Sequence, residues 1–293
     1  MELRVLQYFL AVAREQSISR AAQSLHLSQP TLSTQIKALE EELGKKLLDR
    51  GVSGSRKVTL TDEGIILRKR AEEILSLVKR TEDEITLSDQ FVAGDVYIGA
   101  GETDGVRLLT RAAQRTQERY PDVHFHISSG DGADVTDDLD KGLTDFGLLL
   151  QTVDISRYDC IELPVRETWG VLVRRDSHLA SLERVTPEDL IGTPLLMSRR
   201  QQVKDELASW FGDCFQRIEL AGTFNLILNA ANMVLHGVGA ALGFYLADIS
   251  EELRFIPLSP ELRTGTVLVW KKDQASSNAA SAFLREVRNV RQA

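Results

Sequence analysis

The sequence predicts an α/β protein in three parts: a small helical head carrying a hairpin, one long connecting helix, and a body of two α/β subdomains. Three observations predict it. Two short, apolar-faced helices joined by a tight turn occupy Ile18 to Leu48. A heptad-like spacing of mostly apolar positions then runs from Thr61 to about Phe91. Beyond Gly94, short apolar strands alternate with helical stretches, the pattern of a parallel sheet.

In the head, Ala21, Ala22 and Leu25 give the first of the two helices an apolar face, and His26-Leu27 is the turn. Ser28 is a good N-cap because its hydroxyl accepts from an orphan backbone N–H. Pro30 fits the first turn, where its missing N–H costs nothing. Leu32, Ile36, Leu39 and Leu43 then form one buried stripe. Gln29, Pro30, Thr31, Ser33, Thr34, Gln35 and Lys37 are left at the N-terminal end and outer face. Amides, hydroxyls and one cation opposite an apolar stripe suit a recognition helix in a DNA major groove. An ordinary capped surface helix is the plain alternative, and the preceding Ala-Ala helix with its tight turn argues against it. Leu3, Leu6, Phe9, Leu10 and Val12-Ala13 make an earlier helix apolar on one side, able to pack across the other two. After Gly44, a C-cap, Leu47-Leu48 and Val58-Thr59-Leu60 read as short strands around a Gly/Ser-rich tip. The head is therefore a winged helix-turn-helix. Arg50, Arg56 and Lys57 lie on or beside the wing tip, where cations reach phosphates or the minor groove. A hairpin with charges for solubility is the bland alternative.

The charge distribution agrees with this division. The 293 residues carry a net charge of −8, but residues 1–70 carry +4 and the remainder −12. A basic head on an acidic body argues for phosphate contact at the N-terminal end alone. Glu40, Glu41 and Glu42 fall late on the second helix of the pair, away from its reading end. No apolar run approaches the roughly 20 residues that span a bilayer. The opening MELRVLQYFLAVAREQ is an amphipathic helix and not a signal peptide. Cys160 and Cys214 are far apart and form no CxxC, as in a cytoplasmic protein with structural thiols.

From Thr61, a capping residue, Leu67, Ala71, Ile74, Val78, Thr81, Ile85 and Ser88 form a heptad seam on an otherwise charged rod about 40 Å long. Such a helix is expected to pair with a second copy, which implies a two-fold, pseudo-palindromic DNA site.

SISRAAQSLHLSQPTLSTQIKALEEELGKKLLDR followed by LTDEG resembles the head of the LysR-type transcriptional regulators. The Ala-Ala pair, Ser-Gln-Pro opening a helix, and the spaced Leu-Ser, Gln-Ile, Leu-Glu and Leu-Gly carry the resemblance. Leu48 departs from the family's usual Phe, a core exchange. The resemblance implies a winged helix-turn-helix in residues 1–61, a dimerising linker helix in 62–91 and an effector-binding domain in 92–293. It further implies a homodimer or tetramer, and a regulator that meets RNA polymerase.

The body agrees in outline. Gly94–Ala100, Val123–Ser128 and Phe146–Leu150 read as strands separated by helices at Val106–Tyr120 and Asp134–Gly142. The chain is expected to cross over near Leu163-Pro164. Further strands follow at Trp169–Val173, Pro194–Ser198, Gly237–Phe244, Phe255–Leu258 and Thr266–Trp270, with helices at Val203–Phe211, Asn225–His236 and Ser277–Val290. This order is similar to the family's type 2 periplasmic-binding-protein fold, two Rossmann-like subdomains made of about 92–163 with 266–293, and 164–265. In such a body the effector lies between the subdomains. By that resemblance Thr103, Ser128 and Ser129 form one lip, with Ser198, Thr223 and Phe224 on the other. Hydroxyls and helix N-termini receive anions, yet Glu102, Asp104 and Asp131 flank the first lip. A small carboxylate or a neutral polar metabolite is therefore the expected effector. No GxGxxG, P-loop, HExxH or GxSxG occurs, and the five histidines are scattered, so no cofactor, metal or catalytic residue is expected. The alternative is a small-molecule-binding or enzymatic α/β protein fused to a helix-turn-helix with no operator-specific role.

Overall fold

Three helices make the head: α1 (Leu3–Glu15), α2 (Ile18–Ser24) and α3 (Gln29–Leu43). The computed structural model describes residues 1–49, 57–86, 92–199, 201–245, 250–272 and 277–292. Within it the chain divides into two units, Met1–Thr86 and Leu87–Ala293.

In the first unit, Phe9, Val12, Ala21, Leu32 and Ile36 are fully buried together. Ser17 and Ser28 cap α2 and α3 with their hydroxyls, accepting from Arg20 N and Thr31 N. The turn between these helices is made by His26 in the left-handed region, φ 55°, and α3 ends on Gly44 at φ 64°. Strands β1 (Leu48–Asp49) and β2 (Thr59–Leu60) pair antiparallel as the base of the wing. Glu40 Oε1 accepts from Leu47 N and Leu48 N at 2.8 and 3.1 Å, so this late acid of α3 anchors the strand entry. Helix α4 (Asp62–Thr86) is capped by Thr61 Oγ1, which accepts from Gly64 N at 3.1 Å. The expected continuation of α4 to Phe91 lies outside the described residues.

The heptad seam needs a correction. Ala71 is fully buried and Leu67 packs on the head core, because the start of α4 lies along α1. The head thus covers the first turns of the seam. The exposed large apolar residues of α4 are Ile85, a member of the expected seam, and Ile65, Ile66 and Leu77, which are not.

Among the described residues the body is one sheet of nine strands flanked by helices. In chain order these are β3 (Gly94–Ala100), α5 (Gly105–Arg119), β4 (Val123–Ser129), α6 (Gly132–Asp140), β5 (Phe146–Leu150), β6 (Tyr158–Arg174), β7 (Pro194–Ser198), α7 (Gln201–Phe211), β8 (Glu219–Phe224), α8 (Ile227–Leu235), β9 (Ala240–Phe244), β10 (Leu253–Pro257), β11 (Arg263–Lys271) and α9 (Asn278–Gln292). The strand order is β4-β3-β5-β11-β6-β9-β7-β8, with β10 also on β6. β3 runs parallel to β4 and β5, and β7 parallel to β8 and β9. Separate cores fill the two halves, one around Phe146 and Phe283, the other around Trp169 and Leu195.

Around Leu163-Pro164, where a crossover is expected, the 17-residue β6 runs through without a break, antiparallel to β11, and the register slips between Gly265 and Val267. Proline has no N–H for a ladder and is tolerated at such a bulge. One expectation is corrected: after strand β8, which pairs with β7, helix α8 starts at Ile227 and not at Asn225.

Candidate nucleic-acid interface and ligand cleft

Helix α3 turns Leu32, Ile36 and Leu39 inward and leaves Gln29, Pro30, Thr31, Thr34 and Lys37 exposed, with Ser33 and Gln35 half-exposed. These side chains are not equivalent. Thr31 Oγ1 lies 2.7 Å from Ser28 Oγ within the cap, and Thr34 Oγ1 donates to Pro30 O at 2.9 Å. Lys37 Nζ pairs with Glu41 Oε1 at 3.3 Å across one turn. For Gln29, Ser33 and Gln35 no side-chain hydrogen bond is found among the described residues, leaving their polar groups for an outside partner. Arg50 and Arg56 lie outside the described residues. Lys57 is exposed and shares a groove with Ser17, Ser19 and Arg20 at the start of α2. Arg20 was not legible as an interface residue, because its neighbourhood to Lys57 depends on where the wing returns: Val58 N donates to Gln16 O at 2.9 Å.

The second site is a cavity of about 70 Å³ between the two halves of the body. One half contributes Gly101, Glu102 and Thr103 after β3, Gly132 at the start of α6, and Leu148–Leu150 of β5. The other half contributes Ser198, Phe224, Asn225, Ile227 and Leu242–Phe244, with Trp169 of β6 behind. Trp169 Nε1 donates to Thr264 Oγ1 at 2.8 Å, Thr264 Oγ1 donates to Glu206 Oε1 at 2.6 Å, and the indole lies 4.3 Å from the Phe244 ring. This chain of contacts fixes the apolar wall.

Of the six sequence-read effector residues, Thr103, Ser198 and Phe224 line the cavity. Ser128, Ser129 and Thr223 do not; they are exposed on β4 and β8, which form the two outer edges of the sheet. Strand order, which no local pattern reveals, brings β3 and β5 to the cleft instead of β4. Trp169, Asn225 and Glu102 also line the cavity and were not among the residues read from the sequence. One local signal pointed to Glu102. The N-cap of α8, Leu226, has no capping side chain, so that helix end needs a partner from elsewhere. Glu102 Oε2 supplies it, accepting from Ile227 N across the cleft at 2.5 Å.

A second bond crosses the cleft. Asp131 is buried and accepts from Arg199 Nη2 and Nε at 3.1 and 3.3 Å through Oδ2. Its Oδ1 caps α6, accepting from Ala133 N and Asp134 N at 2.9 and 3.2 Å. Near the strands that join the halves, Glu167 is buried, and Gly105 N donates to its Oε1 at 3.3 Å. Burial pushes its carboxyl pKa up, while backbone N–H groups of Asp104 and Gly105 oppose the shift. Among the described residues, no group of three or more His, Cys, Asp or Glu side chains is placed to hold a metal ion. His126 Nε2 lies 3.0 Å from Asp95 Oδ1 and stacks on Tyr97. No helix among the described residues is long and apolar enough to cross a membrane.

Residues 3–65 match the family model of the bacterial regulatory helix-turn-helix protein, lysR family, and residues 89–292 that of the LysR substrate binding domain. The chain belongs to the LysR family. Like other members it is a DNA-binding transcription regulator with a helix-turn-helix and an effector-binding domain. The hydrogen peroxide-inducible genes activator of Dickeya chrysanthemi is 31% identical over 280 residues, covering 92% of this chain and 90% of that protein. OxyR of Escherichia coli, a transcriptional dual regulator, matches with the same identity and coverage. In fold, this LysR-family chain is similar to full-length CbnR in complex with its target DNA, with a TM-score of 0.74 at 20% identity over 99% of this chain and 100% of that one.

Proposed function

We propose that this LysR-family regulator reads a two-fold-related DNA site with α3 from each of two copies, and that a small molecule in the cleft controls the outcome. The observation that carries the first half is Gln29: an exposed amide at the first turn of a capped helix, with no side-chain hydrogen bond among the described residues. Gln29, Ser33 and Gln35 face bases or nearby phosphates, with Pro30, Thr31 and Thr34 shaping the tip. Lys37, Arg50, Arg56 and Lys57 hold phosphates or the minor groove, and Arg20 joins Lys57 on one side. Residues 1–61 bind DNA, 62–91 join two copies, and 92–293 bind the effector. RNA polymerase is the further partner, the setting is the cytoplasm, and no turnover is assigned to the cleft. Footprinting of the promoter beside its own gene tests this. A Gln29→Ala variant is expected to weaken specific binding by about 1–3 kcal/mol, and an unchanged footprint would remove α3 from the groove.

The relatives' names raise peroxide sensing as a second reading, and the thiols speak against it. Cys160 and Cys214 are free and sit in different halves of the body, on β6 and in a 3-10 turn at Gly212–Arg217. Burial, and then the neighbouring Glu188 carboxylate, push the Cys214 pKa up, which lowers its reactive thiolate fraction at neutral pH. Micromolar peroxide is expected to leave both thiols reduced and the footprint unchanged, as mass spectrometry and gel shifts will show.

Of the two expected effector classes, the lining favours the neutral one over the carboxylate. Among the described residues lining the cavity there is no Lys, Arg or His, and Glu102 is the one charged side chain. That charge distribution also supports a class not expected from the sequence, a positively charged ligand.

A further inference from the structure

We propose that the effector is a small organic cation, a primary amine on an apolar body, with Glu102 as its counter-charge. The inference rests on the cleft being the effector site and names the ligand class that site takes. A buried ammonium needs an anion and hydrogen-bond acceptors around it. Glu102 provides the anion: Oε2 is held by Ile227 N, and no bond to Oε1 is found among the described residues. On the neighbouring residue Thr103, which lines the cavity, Oγ1 is buried without a hydrogen-bond partner among the described residues. A donor ligand satisfies that hydroxyl oxygen, and an ammonium has three N–H groups to give. Asn225 is a further polar residue lining the cavity. The rest of the lining is apolar and aromatic: Leu148–Leu150, Ile227 and Leu242, with Trp169, Phe224 and Phe244. Aromatic faces attract cations and repel carboxylates. Arg199, beside the lining residue Ser198, is paired with Asp131.

Three probes of similar shape and different charge test this on the full-length protein by calorimetry: isoamylamine, isoamyl alcohol and isovalerate. The amine is expected to bind most tightly, the alcohol weakly, and isovalerate not at all at millimolar concentration. Glu102→Gln keeps an acceptor for Ile227 N and removes the charge. It is expected to weaken the amine by about ten-fold or more while leaving the alcohol unchanged. Thr103→Val is expected to weaken the amine with the fold intact by circular dichroism. Isovalerate binding to the unmutated protein as tightly as the amine would overturn the proposal, as would failure of the amine to bind at millimolar concentration. A footprint that bound amine leaves unchanged would count against the regulatory role of the cleft, and not against the charge assignment.

Discussion

At the scale of single residues, the close approaches decide what is replaceable. A Cβ at Gly64 would lie 2.1 Å from Leu47 O, so the glycine of the LTDEG segment lets α4 pass directly over the wing strand. Gly64→Ala is expected to lower stability by about 1–3 kcal/mol, as overpacking does, measured by thermal unfolding of the full chain. Glu167 gives a prediction with a pH sign. Its carboxyl is held above the ordinary 4.5 chiefly by burial. An acid raised in the folded state destabilises the fold when pH exceeds the folded value, and that penalty fades as pH falls through it toward the unfolded pKa. Glu167→Gln is therefore expected to raise the melting temperature at neutral pH and to make little difference near pH 4.5. An equal gain at both pH values would assign the effect to packing and not to charge. Gln29 and Lys57 differ in a measurable way as well: loss of Lys57 is expected to weaken all DNA sequences alike and to reduce the salt slope by about 1.

At the scale of elements, α4 and α6 each serve two purposes. The buried face of α4 closes the head through Leu67 and Ala71, while Ile66 and Leu77 remain exposed. These two lie close to one face, about three turns apart, and are candidates for the seam between copies. Replacing both with Asp is expected to give monomers by analytical ultracentrifugation and to shorten the footprint to a half-site; an unchanged dimer would move the seam elsewhere. In α6 the capping box of Asp131 and Asp134 stabilises the first turn and Asp131 also holds Arg199. Asp131→Ala is expected to cost about 1 kcal/mol from the cap alone. Asp131→Asn, which still caps, keeps the helix and loses only the charge on Arg199, so comparison of the two variants by thermal unfolding separates the roles.

At the scale of the whole effector domain, strands β6 and β11 join the two α/β halves in one sheet. Among the described residues, two side-chain bridges hold the cleft closed, Glu102 to Ile227 N and Arg199 to Asp131. Arg199→Ala is expected to speed hydrogen exchange of amides at the start of α8, because half of that closure is lost. Exchange unchanged at those amides would mean that Glu102 suffices.

The sequence by itself determined the helices of the head, the capped reading helix with its polar face, the linker helix and the alternation of strands and helices in the body. These rest on local periodicity and capping, which act over a few residues and survive any arrangement of the rest. By way of a family resemblance it also named together Thr103, Ser198 and Phe224, which line one cavity. Only the tertiary structure decided that Ser128, Ser129 and Thr223 lie at sheet edges, that the crossover is a bulged strand, and that the head covers the first turns of the linker seam. Each of these depends on which distant segments become neighbours, and strand order leaves no periodic trace in the chain. The charge of the cleft is the clearest case. Glu102, Asp104 and Asp131 look alike in sequence, yet Asp104 pairs with Arg107 and Asp131 with Arg199. Glu102 alone lines the cavity, held there by an N–H of a helix that begins 125 residues later.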